Sequence, residues 1–185
     1  MVYEKEIKGH FVNLRSITLD DAEFSYNLRK DSRFINIMGQ AATTLEDQKN
    51  YIERQMKQPG DYYFVVSNKN GERIGLIGVY GIHDGVCEIG REINIGEPYE
   101  SIEAEILLND FAINVLKLRT KTYVIYKHNK KQIALQRSFG FEPSREVVRS
   151  GISSYEYELP FSVVNENYDR ARKMIEQLAK KRGTK

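Results

Sequence analysis

The chain has 185 residues, of which 41% are hydrophobic and 29% charged. That balance supports one folded core and excludes a disordered or collagen-like chain. Lys and Arg number 28 against 26 Asp and Glu, a net charge of +2, which argues against charge-driven binding of nucleic acid. A single cysteine, Cys87, excludes an internal disulfide framework and a cysteine-rich zinc site, and suits a reducing compartment. No apolar run spans a bilayer and the N-terminus carries no signal-peptide core, so a cytoplasmic protein without a membrane partner is expected.

In chain order, Phe11-Val-Asn-Leu-Arg15 reads as a strand and Thr18-Leu-Asp-Asp21 as a helix start. The Thr hydroxyl caps a free backbone N–H and the acids suit the positive helix end. Ala22, Tyr26 and Arg29 follow at helical spacing. Thr44-Leu-Glu-Asp47 is a second start of the same kind, with Tyr51, Ile52 and Met56 as its apolar stripe and Pro59-Gly60 as its stop. Tyr62 to Ser67 and Arg73 to Tyr80 flank the turn Asn68-Lys-Asn-Gly71 and predict a hairpin. Asp84-Gly85 turns into a strand from Val86 to Ile95. Glu103 to Leu116 has helical periodicity, with Ile106, Leu107 and Phe111 near one side. Thr120 to Tyr126 is β-branched and aromatic, hence a strand. Asn129 to Phe139 is a short helix stopped by Gly140. Val147-Val148 and Tyr155 to Leu159 make an antiparallel pair closed by Pro160, and an amphipathic helix at about 166–181 carries Tyr168, Ala171, Ile175, Leu178 and Ala179. The whole chain, 1–185, reads as one domain.

Four segments on these elements carry a resemblance. They are Leu14-Arg-Ser-Ile-Thr-Leu-Asp-Asp-Ala22, Arg73-Ile-Gly-Leu-Ile-Gly78, Glu88-Ile-Gly90 and Asn129-Lys-Lys-Gln-Ile-Ala-Leu-Gln-Arg-Ser-Phe-Gly-Phe141. In that order they resemble the GNAT superfamily of acetyl-CoA-dependent N-acetyltransferases. The likeness is to the branch that acetylates ribosomal-protein N-termini and small amines such as amino sugars and polyamines. It implies a mixed α/β (α+β) fold around a twisted, mostly antiparallel sheet of about seven strands. Two of its strands, here 86–95 and 120–126, would splay apart.

The resemblance also implies roles. Acetyl-CoA would be the co-substrate, with no metal. A primary amine of a small molecule or a peptide would be the acceptor. The strand edge Ile93-Asn94-Ile95 would hold the pantetheine arm. Ser101 and Ile102 lie where the family's glycine-rich loop faces the pyrophosphate. Asn129 and Lys131 would meet the coenzyme at the start of the next helix, and Gln136 would position the thiol. Glu92 and Glu88, spaced to share one strand face, are the candidate general bases. Phe34, Met38 and Tyr62 would line the acceptor pocket. Lys127, His128, Lys130 and Lys131 form a basic cluster beside the same site.

Three departures from the family pattern stand out. Glu97-Pro-Tyr-Glu-Ser-Ile-Glu-Ala104 has no glycine pair and carries three acids. A carboxylate about 8 Å from a phosphate costs roughly 0.5–2 kcal/mol, against about 0.3–1 kcal/mol returned by a helix terminus. Gln136 replaces the usual acid Tyr and Gln132 the frequent Ser, so water or a tyrosine from elsewhere must supply the acid. A second reading follows from these departures: a module of the same fold that binds ligand, with weakened coenzyme A binding. The last strand and the C-terminal helix are candidate homodimer surfaces.

Overall fold

Along the strand Tyr62–Asn68, Phe64 and Val66 enter one apolar cluster while Tyr63 and Val65 enter another. Both faces of the sheet are therefore buried and both need a cover. The computed structural model describes residues 1–34 and 42–183. Its elements are β1 (Ile7–Lys8), β2 (Val12–Ser16), α1 (Ala22–Lys30), α2 (Leu45–Lys57), β3 (Tyr62–Asn68), β4 (Arg73–His83), β5 (Val86–Asn94), α3 (Pro98–Asn114), β6 (Thr120–Tyr126), α4 (Lys130–Ser138), β7 (Arg145–Arg149), β8 (Ile152–Pro160) and α5 (Phe161–Arg182). One sheet of eight strands runs in the order β1-β2-β3-β4-β5-β6-β8-β7. Helices α3, α4 and α5 contribute to the larger core on one face, and α1 and α2 to the smaller core on the other.

The predicted order of elements holds, with three differences. An eighth strand appears because Ile7 and Lys8 pair with Leu14 and Asn13, a two-residue element too short for alternation to reveal. Helix α3 begins at Pro98, not near Glu103: a proline at the first helical position lacks only an N–H that would go unused. Helix α5 begins at Phe161 directly after Pro160, since the buried Phe161 and Val164 extend the apolar stripe backwards.

Local chemistry fixes the entries to α1 and α2. Thr44 accepts from the Asp47 amide at 3.1 Å, and the Asp47 carboxylate accepts from the Thr44 amide at 3.0 Å. Asp21 is fully buried and holds Arg15 with two bonds of 2.7 Å and Arg73 at 3.2 Å. It thereby ties the start of α1 to β2 and β4. Burial opposes its charge, and the paired guanidiniums still hold its carboxyl below the usual range.

All neighbouring strands are antiparallel except β5 and β6. Their parallel pairing covers only Val86–Thr120, Cys87–Lys121 and Glu88–Thr122. Beyond Glu88 the strands part, and the remaining lengths of β5 and β6 leave a gap in the sheet. Among the described residues, no helix is long and apolar enough to cross a membrane.

Candidate active site

The gap between β5 and β6 is where backbone groups lie open. The Ile95 amide donates to the Ile74 carbonyl at 2.8 Å, so Ile95 and, two residues back, Ile93 face β4. Asn94 between them turns its own N–H and C=O away from β4, toward the gap. Of the three residues expected to hold an extended arm, Asn94 thus presents the free edge. Its side-chain Oδ1 accepts the Gly96 amide at 2.7 Å, while Nδ2 is buried without a hydrogen-bond partner. An extended chain carrying amides of its own fits such an edge.

The expectation that Glu88 and Glu92 share a face is not met. The register of β4 with β5 shifts between Leu76–Ile93 and Gly78–Gly90, which places two residues, Arg91 and Glu92, opposite one. Arg91 adopts φ +54° there, the mark of a β-bulge. The inserted residue reverses the alternation. Glu88 pairs beside Tyr80 on the α1/α2 face, and Glu92 points to the α3/α5 face. The bulge is held by Arg91, whose guanidinium donates to Asp61 at 3.0 and 2.7 Å and to the Tyr51 hydroxyl at 2.8 Å. It also lies 3.8 Å from the Tyr80 ring centre.

Around Glu92 stands a buried polar cluster. Lys121 of β6 is fully buried and donates to Glu105 of α3 at 3.0 Å. Rings of Tyr123, Phe141 and Tyr168 surround the Lys121 ammonium at 5.1, 5.9 and 5.6 Å. Burial, then the charge of Glu105, push Glu92 up from 4.5 to about 8, with Lys121 opposing. Glu88 is placed differently. It accepts from the Tyr80 hydroxyl at 2.8 Å and from Arg149 at 2.9 and 3.0 Å. Gly90 explains part of the Glu-Ile-Gly motif, because a Cβ there would lie 2.7 Å from the Tyr80 hydroxyl.

Gln136 is buried, and its Oε1 accepts the Tyr123 hydroxyl at 2.7 Å. A tyrosine from β6 therefore reaches Gln136, the position where the family resemblance implies one on α4. Burial and Glu105 push Tyr123 far above the ordinary phenol range, so it orients Gln136 and is a poor proton donor. Asn129 caps α4 by accepting the Gln132 amide at 3.2 Å, and Lys131 is exposed two residues on. Lys127 is paired with Glu146. Cys87 is buried and its thiol is pushed up to about 12 by burial, which leaves it inert.

The start of α3 does not offer a phosphate cradle. The Glu97 amide donates to the Glu100 carboxylate at 2.7 Å, and the Glu100 amide donates to the Glu97 backbone carbonyl at 2.9 Å. Pro98 has no N–H, and the Ser101 amide is taken by the Glu97 carbonyl at 3.2 Å. Ser101 and Ile102 thus follow a helix entry whose amides are taken by the Glu100 carboxylate and the Glu97 carbonyl. Glu103 points elsewhere altogether: its carboxylate accepts the amides of His10, Phe11 and Val12 at 2.7, 2.7 and 2.9 Å.

Of the expected acceptor-pocket residues, Phe34 and Tyr62 do not come together. Phe34 packs against the α1/α2 core. Tyr62 packs edge-on against Phe111 of α3 on the opposite face, with ring centres 5.4 Å apart. Met38 lies outside the described residues. A cavity of about 410 Å³ opens between α1 and the ends of β4 and β5, lined among others by Glu23, Phe24, Asn27, Arg73 and Ile95. Among the described residues no group of three or more His, Cys, Asp or Glu is placed to hold a metal ion.

Comparison with known proteins agrees with this fold. A search of curated proteins finds no match. Among solved structures, a GCN5-related N-acetyltransferase from Brucella melitensis superposes with TM-score 0.78 at 16% identity, over 94% of this chain and 86% of that one. FdhC, a nucleotide-linked sugar GNAT, gives 0.75 at 19% identity over 90% and 96%. The spermidine N-acetyltransferase from Vibrio cholerae, solved with CoA and spermine, gives 0.74 at 16% identity over 83% and 98%. At such identities the likeness is one of fold. The family assignment comes from the sequence itself: residues 12–142 match the acetyltransferase (GNAT) domain, so the chain belongs to the GNAT acetyltransferase family.

Proposed function

We propose that the chain is an acetyl-CoA-dependent N-acetyltransferase acting on a primary amine of a small molecule. The observation that carries this reading is the gap beyond Glu88, with the Asn94 backbone turned into it and Glu92 beside it. Bound acetyl-CoA would supply the thioester carbon that the amine attacks. Asn94 pairs with the coenzyme arm as a neighbouring strand would. Ile93 and Ile95 fix that edge by bonding to β4. Asn129, Lys131 and Gln136 stand along the α4 side of the same opening. Phe34 and the α1 cavity border the acceptor side.

Glu92 is the proton acceptor in this scheme. A base works best when its pKa lies near the working pH, and burial brings Glu92 to about 8. Glu88 already accepts three hydrogen bonds and is the weaker candidate. Neutral amine is the reacting form, so the rate should rise with pH through the Glu92 transition. A peptide N-terminus is the second acceptor class. The self-capped α3 favours a coenzyme held mainly by its arm, with a weak grip on the phosphates. It also motivates the reading as a ligand-binding module. A panel of amines assayed for free coenzyme A thiol with acetyl-CoA tests the reading. Turnover of one amine class is expected, falling on the order of 100-fold or more in Glu92→Gln and less in Glu88→Gln. The opposite ranking would move the base to Glu88.

A further inference from the structure

Glu88 is the last residue of β5 paired with β6, so its carboxylate stands at the vertex of the gap on the α1/α2 face. Two different kinds of partner hold it. Tyr80 donates to Oε1 at 2.8 Å and belongs to the framework, since its ring lies under the guanidinium of Arg91. Arg149 donates from Nη2 to both carboxylate oxygens, at 2.9 and 3.0 Å. It ends β7, the outermost strand, and reaches Glu88 past β8 and β6.

Almost all of β7 is exposed, and its turn to β8 is the two-residue Ser150-Gly151 with φ +52° and +77°. The Arg149 and Glu88 side chains are 46% and 21% exposed. Ion pairs this open to solvent are weak, and the β7–β8 tip leaves little core behind if it lifts. The carboxylate is held to the framework through Tyr80, whereas the guanidinium is carried on the exposed β7–β8 tip.

We propose that Glu88 anchors a second ammonium group of the acceptor and that Arg149 is its resident competitor. An aliphatic diamine or polyamine displaces the guanidinium from Glu88 and lifts the β7–β8 tip. A monoamine leaves the pair in place. The inference rests on the acetyl-transfer reading only in calling this ligand the acceptor.

Calorimetric titration of the full chain without coenzyme tests it, using cadaverine as the diamine and pentylamine as the monoamine. Arg149→Gln should bind cadaverine about three- to tenfold more tightly than the parent. Arg149→Lys, which restores the competing charge, should return near the parent affinity. Glu88→Gln should lose the preference for cadaverine over pentylamine. A melting temperature for each variant confirms folding. Equal cadaverine affinity in parent and Arg149→Gln would overturn the proposal. So would a loss of binding for β-alanine in Arg149→Gln with no gain for cadaverine, which would make Arg149 a carboxylate anchor. Because no coenzyme is present, either result stands apart from whether acetyl transfer occurs.

Discussion

Glu103 sits three residues after the end of a helix cap, where an acid would ordinarily be solvated. Here it is buried and gathers three backbone amides of the β1–β2 turn. Gly9 lets the carboxyl approach, since a Cβ there would stand 2.6 Å from Glu103 Cδ. Glu103→Ala leaves those donors without a partner and should cost about 3–5 kcal/mol, read by chemical denaturation. A loss under about 1 kcal/mol would mean that water replaces the carboxylate. Glu92 makes the complementary prediction. Its proton is held more tightly in the fold, near 8, than in the unfolded chain, near 4.5. The stability it contributes is full below about 4.5 and is lost as pH rises to about 8. Glu105 from α3, Lys121 and Tyr123 from β6 and Tyr168 from α5 are the ionisable groups of that cluster. Relative to Glu92→Gln, the parent should lose unfolding free energy across that window. Parallel curves would place Glu92 in a solvated site.

At the scale of elements, α3 explains why the acidic segment replaces a glycine loop. The Glu100 carboxylate and the Glu97 carbonyl take the amides at the helix entry, where the family resemblance implies an open glycine-rich loop. The double variant Glu97→Gln, Glu100→Gln should cost roughly 0.5–2 kcal/mol of stability. It should tighten coenzyme A binding about two- to tenfold by removing two charges near the phosphates. Unchanged affinity in calorimetry would show that the phosphates lie elsewhere. Much of this scale was legible in the residues. The Thr44–Asp47 start, the Asn68–Gly71 hairpin turn and the alternation of β3 each follow from local chemistry. The bulge was not, because nothing in Glu88-Ile-Gly-Arg-Glu92 marks Arg91 as the inserted residue. Its cause is tertiary: the Asp61 and Tyr51 contacts and the Tyr80 ring hold Arg91 where it is. The same holds for Tyr62, whose partner Phe111 is set by the packing of α3, and for Tyr123, whose reach to Gln136 depends on how α4 lies against β6.

Across the whole molecule, α5 lies beyond the matched domain and still closes its core. Tyr168 packs on Phe139 and Phe141 with ring centres 4.7 and 5.6 Å away, and Arg172 holds Asp110 of α3 with bonds of 2.7 and 2.6 Å. The sheet, its gap and the helix that roofs the Lys121 cluster therefore form one cooperative unit. The near-neutral net charge hides a division of labour within that unit. Acids cap α3 and tie down the β1–β2 turn, and the gap itself is lined by backbone and by two carboxylates on opposite faces. If this gap receives the arm of acetyl-CoA, calorimetric titration of the chain with acetyl-CoA should give saturable binding at one site per chain. No heat of binding at millimolar acetyl-CoA would show that the gap does not hold the coenzyme.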